Sequence, residues 1–189
     1  ARDKITQLEK QIEKVAGQRS LRRARRQRRG VPVIAIVGYT NAGKSTLLNA
    51  LTKGNVFVED KLFATLDPSS RRMRFPNEKE VIFVDTVGFI RELPKELIEA
   101  FRATLEEVGE ADIIVHVVDV SDPEYTKRIR IVENTLSELG YGNKPKVLVF
   151  NKSDLVHIME REHIQTNTKG FFISAVTREG LEDIVLEIQ

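Results

Sequence analysis

Cysteine is absent from this chain of 189 residues, which excludes disulfide bonds and thiolate metal sites. The three histidines (His116, His157 and His163) lack a second histidine at ligand spacing, so no transition-metal site is predicted. No apolar run reaches the roughly 18 to 20 residues that span a bilayer, and no signal-peptide pattern opens the chain. These absences favour a cytoplasmic protein.

The composition suits one globular domain with a short appendage, since 41% of the residues are hydrophobic and 31% are charged. The boundary is predicted at Gly30-Val31-Pro32, because glycine and proline interrupt helical patterns. We therefore expect a basic helical segment over residues 1–30 and a globular domain over residues 31–189. The chain begins with Ala1 and ends within a helical pattern, so we interpret it as a piece of a longer protein that lacks its N-terminal region.

The first segment combines a short apolar seam with a cluster of arginines. Its apolar residues recur at heptad spacing, which predicts a helix that packs on another helix or on a second copy of the chain. The net charge is only +2, yet seven arginines share one short window without a lysine or an acid: Arg19, Arg22, Arg23, Arg25, Arg26, Arg28 and Arg29. This pattern is typical either of contact with nucleic-acid phosphates, with RNA as the possible partner, or of a solvated helix end or linker, and both interpretations stay open.

Beyond the boundary, short apolar runs alternate with helical patterns, which predicts an α/β fold. Strands are expected over residues 33–37, 81–84, 113–118, 147–150 and 171–173, and helices over 44–52, 94–108, 123–139, 157–164 and from 181 to the end. Continuous β-branched runs predict strands covered on both faces, hence a mostly parallel sheet between helices. The stretch Arg71–Phe75 predicts one antiparallel edge strand.

The chemistry is concentrated first in a glycine-rich stretch between the strand 33–37 and the helix 44–52. Its spacing, G-x-x-x-x-G-K-S, is that of a phosphate-binding loop, in which backbone N–H groups and a lysine surround the β- and γ-phosphates and a serine hydroxyl binds Mg²⁺. The predicted nucleotide-binding residues here are Gly38, Tyr39, Thr40, Asn41, Ala42, Gly43, Lys44, Ser45 and Thr46.

Three further motifs follow strands that should end at the same edge of the sheet. Asp85, at the start of Asp-Thr-Val-Gly, can hold a Mg²⁺-bound water, and the N–H of Gly88 can meet the γ-phosphate. In Asn-Lys-Ser-Asp, Asp154 can accept hydrogen bonds from guanine N1 and N2, which adenine cannot offer. Three further contacts with the guanine base are predicted. Asn151 can bond N7, and the Lys152 stem can lie over the base. The backbone of Ser174 and Ala175, which follow the strand 171–173, can contact O6.

The loop over residues 56–68 has no clear periodicity and lies where a nucleotide-sensing switch belongs. Thr65 is its best candidate to complete the Mg²⁺ shell, and the predicted metal site therefore comprises Ser45, Thr65 and Asp85. The predicted catalytic residues are Lys44, Thr65 and Gly88. The apolar side chains of this loop are assigned with equal weight to a partner contact and to packing on the sheet edge.

Together these motifs resemble those of translation-factor-class GTPases. Three of the motifs are similar in residue sequence to those of the HflX family: Gly-Tyr-Thr-Asn-Ala-Gly-Lys-Ser-Thr-Leu, Leu-Phe-Ala-Thr-Leu-Asp-Pro and Asp-Thr-Val-Gly-Phe-Ile. The resemblance implies a Ras-like fold, GTP hydrolysis with Mg²⁺, and association with the large ribosomal subunit and its RNA, including the splitting or rescue of ribosomes.

Two residues qualify that resemblance. Phe89 stands where a catalytic glutamine would orient the attacking water, which predicts slow intrinsic turnover that a partner accelerates. Asn41 resembles the asparagine of GTPases that use K⁺, although asparagine also suits tight turns. The alternatives are an RNA-binding module gated by nucleotide, a tRNA-modification or ribosome-assembly GTPase, and, least favoured, an ATPase.

Overall fold

The computed structural model describes residues 30–52, 70–75, 79–86, 88 and 107–189. The compact unit that carries the sheet comprises Pro32–Gln189. Its six strands are β1 (Val33–Gly38), β2 (Ser70–Arg74), β3 (Glu80–Asp85), β4 (Ile113–Asp119), β5 (Lys146–Asn151) and β6 (Phe171–Phe172).

The strands form one sheet in the order β2-β3-β1-β4-β5-β6. All neighbouring pairs are parallel except β2 and β3, which are antiparallel, as expected for the edge hairpin. The mixed sheet with helices confirms the predicted α/β architecture, and in such a sheet ligands bind outside the carboxyl ends of the parallel strands.

Four helices are described with both ends: α1 (Lys44–Thr52), α2 (Tyr125–Glu138), α3 (Ile158–Asn167) and α4 (Leu181–Glu187). Residues 107–110 are also helical and end two residues beyond the predicted boundary, while most of the helix expected from 94 lies outside the described residues. A short 3₁₀ turn, Ser153–Leu155, follows β5.

The two central strands are buried almost completely because helices cover both faces of the sheet. Every residue of β1 is buried, and one apolar cluster joins Ile34 and Ile36 to Leu47 and Leu48 of α1 and to Ile184 of α4. A second cluster joins Val118 of β4 and Phe150 of β5 to Ile164 of α3. The continuous apolar runs of the sequence are therefore strands enclosed from two sides.

The described residues contain neither a membrane-spanning helix nor a cluster of acidic or histidine metal ligands. None of the described helices is long and apolar enough to cross a membrane. Within the same residues, no group of three or more histidine, aspartate or glutamate side chains is arranged to hold a metal ion. The arginine cluster, the 56–68 loop with Thr65, and Phe89 lie outside the described part of the chain.

Candidate nucleotide-binding site

The glycine-rich loop connects the end of β1 to the first turn of α1 and is held by Lys44. The Lys44 Nζ donates hydrogen bonds to the carbonyl oxygens of Tyr39 (2.9 Å) and Gly38 (3.2 Å). Lys44 is buried, and burial lowers its pKa to about 8, an effect that the Asp85 carboxylate partly offsets. The ammonium group is therefore still mostly protonated at pH 7, inside a loop whose backbone it organises.

Asn151, at the end of β5, joins the phosphate-binding loop to the loop after β6. Its Nδ2 donates to the carbonyl oxygen of Ala42 at 2.8 Å, and its Oδ1 accepts from the backbone N–H of Ala175 at 3.0 Å. The side chain is 2% exposed. An amide nitrogen carries two hydrogens, so the second N–H of Asn151 stays available for the predicted bond to guanine N7.

Gly43 lies against the Asn151 side chain that joins the two loops. A Cβ added at Gly43 would be 2.2 Å from Asn151 Nδ2, and the backbone φ of +89° favours glycine as well. Asn41, in the same loop, is in the left-handed region with φ +60°, which asparagine tolerates better than most residues. The loop conformation thus explains both residue choices without reference to a ligand.

Ser45 and Asp85 bring two oxygen donors together beside Lys44. The Ser45 hydroxyl donates to Asp85 Oδ2 at 2.7 Å, across the gap between α1 and β3. A hydroxyl and a carboxylate are the hard oxygen donors that Mg²⁺ prefers, and magnesium usually keeps several waters beside one or two protein ligands. The donor set fits the predicted ion, with Ser45 as direct ligand and Asp85 as the acceptor of a bound water.

The segment after β3 closes onto the phosphate-binding loop. The Thr86 hydroxyl is buried and donates to the carbonyl oxygen of Ile36 at 2.7 Å, which fixes the start of this segment to β1. Gly88 follows, and a Cβ added there would be 2.9 Å from the Cα and Cγ2 of Thr40 and 3.0 Å from Lys44 Nζ. Only glycine permits the backbone to come this close to the loop.

The Asn-Lys-Ser-Asp motif runs from the last residue of β5 into the 3₁₀ turn. Lys152 is in the left-handed region (φ +63°), and its Nζ forms an ion pair with Asp119 Oδ2 at 2.6 Å. Ser153 is buried, and its backbone N–H donates to the Ile173 carbonyl at 3.0 Å. Asp154 is exposed at the carboxyl end of the sheet, where a carboxylate is accessible to a ligand.

Ser174 and Ala175 are held just beyond β6 by the same network. Both are buried, and the Ser174 hydroxyl accepts a hydrogen bond from the Thr177 backbone at 3.1 Å. Because Ala175 N is engaged by Asn151, the phosphate-binding loop, the β5 turn and the β6 loop form one connected unit. The described predicted site residues are therefore brought to one edge of the sheet.

Two residues of this edge were not predicted as site residues. Arg128 of α2 lies over the Tyr39 ring, with its Cζ 4.2 Å from the ring centroid, and forms an ion pair with Asp122. Asp119 ends β4, pairs with Lys152 and accepts hydrogen bonds from Ser121. The position of Asp119 after an apolar strand could have identified it, whereas nothing in the sequence pairs Arg128 with Tyr39.

Comparison with known proteins identifies the family. The model of a family described as 50S ribosome-binding GTPase matches residues 33–152. The GTPase HflX of Caldanaerobacter subterraneus subsp. tengcongensis is 48% identical over 188 residues, which cover 100% of this chain and 43% of the relative. The chain thus spans less than half the length of that curated relative.

Solved structures agree on the fold. A GTP-binding protein from Sulfolobus solfataricus in complex with GDP is 28% identical, with a TM-score of 0.66 over 90% of this chain and 55% of that one. Era in complex with MgGDPNP and nucleotides 1506–1542 of 16S ribosomal RNA is 30% identical, with a TM-score of 0.67 over 84% of this chain and 55% of that one.

Proposed function

Because the chain belongs to the 50S ribosome-binding GTPase family and is an HflX-type GTPase, we propose that it is the nucleotide-dependent switch of a longer cytoplasmic protein that acts on the large ribosomal subunit. In this proposal the GTP and GDP states differ in affinity for the ribosome, and the whole protein splits or rescues ribosomes. The family supports GTP binding and hydrolysis directly, while the ribosomal action is the inference.

One observation carries the assignment of the site. Asn151 connects Ala42 of the phosphate-binding loop to Ala175 of the β6 loop through hydrogen bonds of 2.8 and 3.0 Å. A mononucleotide has phosphates at one end and a base at the other, and this bridge holds in one unit the two loops proposed to contact those ends. Asp154, exposed beside the bridge, is the proposed reader of guanine N1 and N2.

The proposed mechanism is in-line attack of water on the γ-phosphate. Lys44 neutralises charge on the β- and γ-phosphates, and the Gly88 N–H donates to a γ-phosphate oxygen. Mg²⁺, held by Ser45 and Thr65 directly and by Asp85 through a water, would supply Lewis-acid stabilisation of the same charge. Phe89 cannot orient water, so intrinsic turnover is slow and a partner that orders the segments around Thr65 and Phe89 accelerates it.

The base-reading assignment has a direct test. Calorimetry compares GTP, GDP, ATP and XTP for the chain and for Asp154→Asn. We expect a preference for guanine that moves to xanthine in the variant, because an asparagine amide can donate to the O2 of xanthine where the carboxylate accepted from guanine N2. Exposed Asp183→Asn in α4 is the matched control and keeps the original preference. Equal binding of ATP and GTP, unchanged by Asp154→Asn, would refute the assignment.

Asn41 is the proposed ligand of a K⁺ ion that stabilises transition-state charge. Asparagine carbonyl oxygens suit alkali cations, and Asn41 is exposed in the loop. Equal hydrolysis rates in KCl and NaCl would contradict this assignment.

An RNA-binding module gated by nucleotide is the alternative function, and the arginine cluster favours it. Arginine binds phosphate bidentately, and seven arginines occur within residues 19–29. RNA binding that requires these arginines and ignores the nucleotide would favour this alternative over the switch, and so would retained RNA binding after Lys44→Ala. A tRNA-modification or ribosome-assembly role would appear as preference for RNAs other than those of the large subunit.

A further inference from the structure

The proposed mechanism lacks a residue that orients the attacking water. Phe89 follows Gly88 in the sequence, and a phenyl ring neither donates nor accepts an ordinary hydrogen bond. The missing group must therefore come from another part of the site, near the γ-phosphate and on the side of Gly88.

Thr40 lies at that place. A Cβ built on Gly88 would be 2.9 Å from Thr40 Cγ2 and 2.9 Å from Thr40 Cα, so the two backbones are in direct contact. The same Cβ would be 3.0 Å from Lys44 Nζ, the cation proposed to bind the γ-phosphate. Thr40 is thus adjacent to Gly88, and both Thr40 and Lys44 Nζ lie within 3.0 Å of the same point, the position of a Cβ on Gly88.

The Thr40 hydroxyl is also uncommitted within the described residues. Other hydroxyls of this region have partners there: Ser45 donates to Asp85, and Thr86 donates to the Ile36 carbonyl. The Thr40 hydroxyl forms no hydrogen bond with any residue that the structure describes, and Thr40 is only half-buried. A hydroxyl offers one donor and two acceptor sites, so it can accept from a water and donate to a phosphate oxygen at once.

We propose that the Thr40 hydroxyl positions the attacking water for GTP hydrolysis. This inference rests on the proposed function and gives Thr40, which the sequence predicts only as a nucleotide-binding residue, a specific role in hydrolysis. The hydroxyl accepts a hydrogen bond from the water, whose free lone pair then faces the γ-phosphorus, while its methyl group keeps contact with Gly88 and sets the direction of the side chain.

The step balances without a further reactant. The water oxygen forms a bond to the γ-phosphorus as the bond from phosphorus to the β,γ-bridging oxygen breaks, and that electron pair leaves on the β-phosphate of GDP. One water proton stays on the inorganic phosphate and the other passes to solvent. Thr40 is unchanged at the end, since it orients the water and takes no proton.

Two substitutions separate the hydroxyl from the methyl group. Thr40→Val keeps the methyl group against Gly88 and removes the hydroxyl, and Thr40→Ser does the reverse. Single-turnover hydrolysis of GTP by the 189-residue chain with Mg²⁺ is measured together with KM and GDP affinity. Thr52→Val is the matched control, since Thr52 ends α1 and its hydroxyl donates to the Leu48 carbonyl at 2.7 Å, away from the site.

We expect Thr40→Val to lower the single-turnover rate at least about tenfold, the scale of misorienting a reactant, with KM and GDP affinity changed less than about twofold. Thr40→Ser should keep most of the rate, and Thr52→Val all of it. A full rate in Thr40→Val would overturn the proposal, and so would equal losses in Thr40→Val and Thr40→Ser, because the hydroxyl would then not be the active feature.

Failure of this inference is distinguishable from failure of the proposed function. If the unmodified chain binds GTP with guanine preference and hydrolyses it, the proposed function stands whatever Thr40 does. If the unmodified chain does not hydrolyse GTP, the proposed function fails before any Thr40 variant is compared.

Discussion

Replacing Asn151 with alanine tests whether the phosphate and base loops are one mechanical unit. The substitution removes two hydrogen bonds, of 2.8 and 3.0 Å, and leaves the Ala42 carbonyl and the Ala175 N–H without their partner in a region where both residues are at most 5% exposed. Each buried group left unsatisfied costs about 1–3 kcal/mol, so about 3 kcal/mol is the expected loss of unfolding free energy. For a chain of this size that corresponds to a fall in Tm of about 6–12 °C.

Urea denaturation of the nucleotide-free chain measures the loss, and Asn167→Ala is the matched control. Asn167 Nδ2 also donates to a backbone carbonyl, that of His163 at 2.9 Å, but the bond is exposed at the end of α3. The control should lose no more than about 0.5 kcal/mol. GDP affinity should fall in Asn151→Ala and stay constant in the control. If the two variants lose equal stability, the reasoning about the bridge is refuted.

Gly43 and His116 provide two further tests of the same fold, each with a matched control substitution. Gly43→Ala should destabilise the chain more than Gly140→Ala, because the new methyl group would be 2.2 Å from Asn151 Nδ2, whereas at Gly140 nothing lies within 4 Å and φ is a similar +82°. Gly140→Ala should lose only the left-handed backbone penalty of about 1–2 kcal/mol, and equal losses in urea denaturation would contradict the predicted clash. Burial lowers the pKa of His116 to about 4, so the unfolded chain binds a proton that the folded chain does not as pH falls below 6.5. The chain should therefore lose about 3 kcal/mol of stability between pH 6.5 and pH 4 through His116, and His116→Leu should remove that dependence while exposed His163→Gln should not.

The apolar runs of the sequence located the strands but ended four of them one residue early. The structure adds Gly38, Asp85, Asp119 and Asn151 to the carboxyl ends of β1, β3, β4 and β5. An apolar run marks residues that helices cover, while backbone pairing continues one residue further, as in the register of Asp85 with Ile36 and of Asp119 with Asn151. Three of the four added residues, Asp85, Asp119 and Asn151, are polar and lie at the carboxyl edge of the sheet, where ligands bind; Asp85 and Asn151 are nevertheless buried.

The predicted helix boundaries were less accurate than the predicted strand boundaries, because hydrophobic periodicity does not show where a polar helix end stops. The helix expected over 157–164 is Ile158–Asn167, and His157 is its N-cap, with Nδ1 accepting from the Met159 N–H at 3.4 Å. The polar sequence after Ile164 is typical of a loop, yet Thr166 and Asn167 direct their side chains to carbonyls one turn back and remain helical. Similarly, α2 begins at Tyr125 and not at Pro123, after Asp122 accepts from the Glu124 N–H.

The long-range contacts of the site could not be predicted from the sequence. Asn151 and Ala42 are 109 positions apart, and no local pattern indicates that a side-chain amide at the end of β5 reaches a carbonyl before α1. The contact of Arg128 with Tyr39 depends likewise on the packing of α2 beside β1. Sequence motifs name the residues that a ligand would contact, whereas the residues that hold the motifs in place emerge only from the assembled sheet.

The contacts proposed for GTP and GDP indicate which residues of the site can distinguish the two nucleotides. Under the proposed assignment, Asn151 joins Ala42 and Ala175 in a hydrogen-bonded unit whose contacts are with the β-phosphate and the base, groups that GTP and GDP share. A ligand shifts a conformational equilibrium only through contacts that differ between states, so this unit sets affinity for both nucleotides and cannot distinguish them. Discrimination must come from groups that meet the γ-phosphate, and among the described residues those are Lys44 and the Gly88 backbone. A loss of GTP preference with unchanged GDP affinity is therefore the signature expected for changes at Gly88, whereas changes at Asn151 should weaken both nucleotides together.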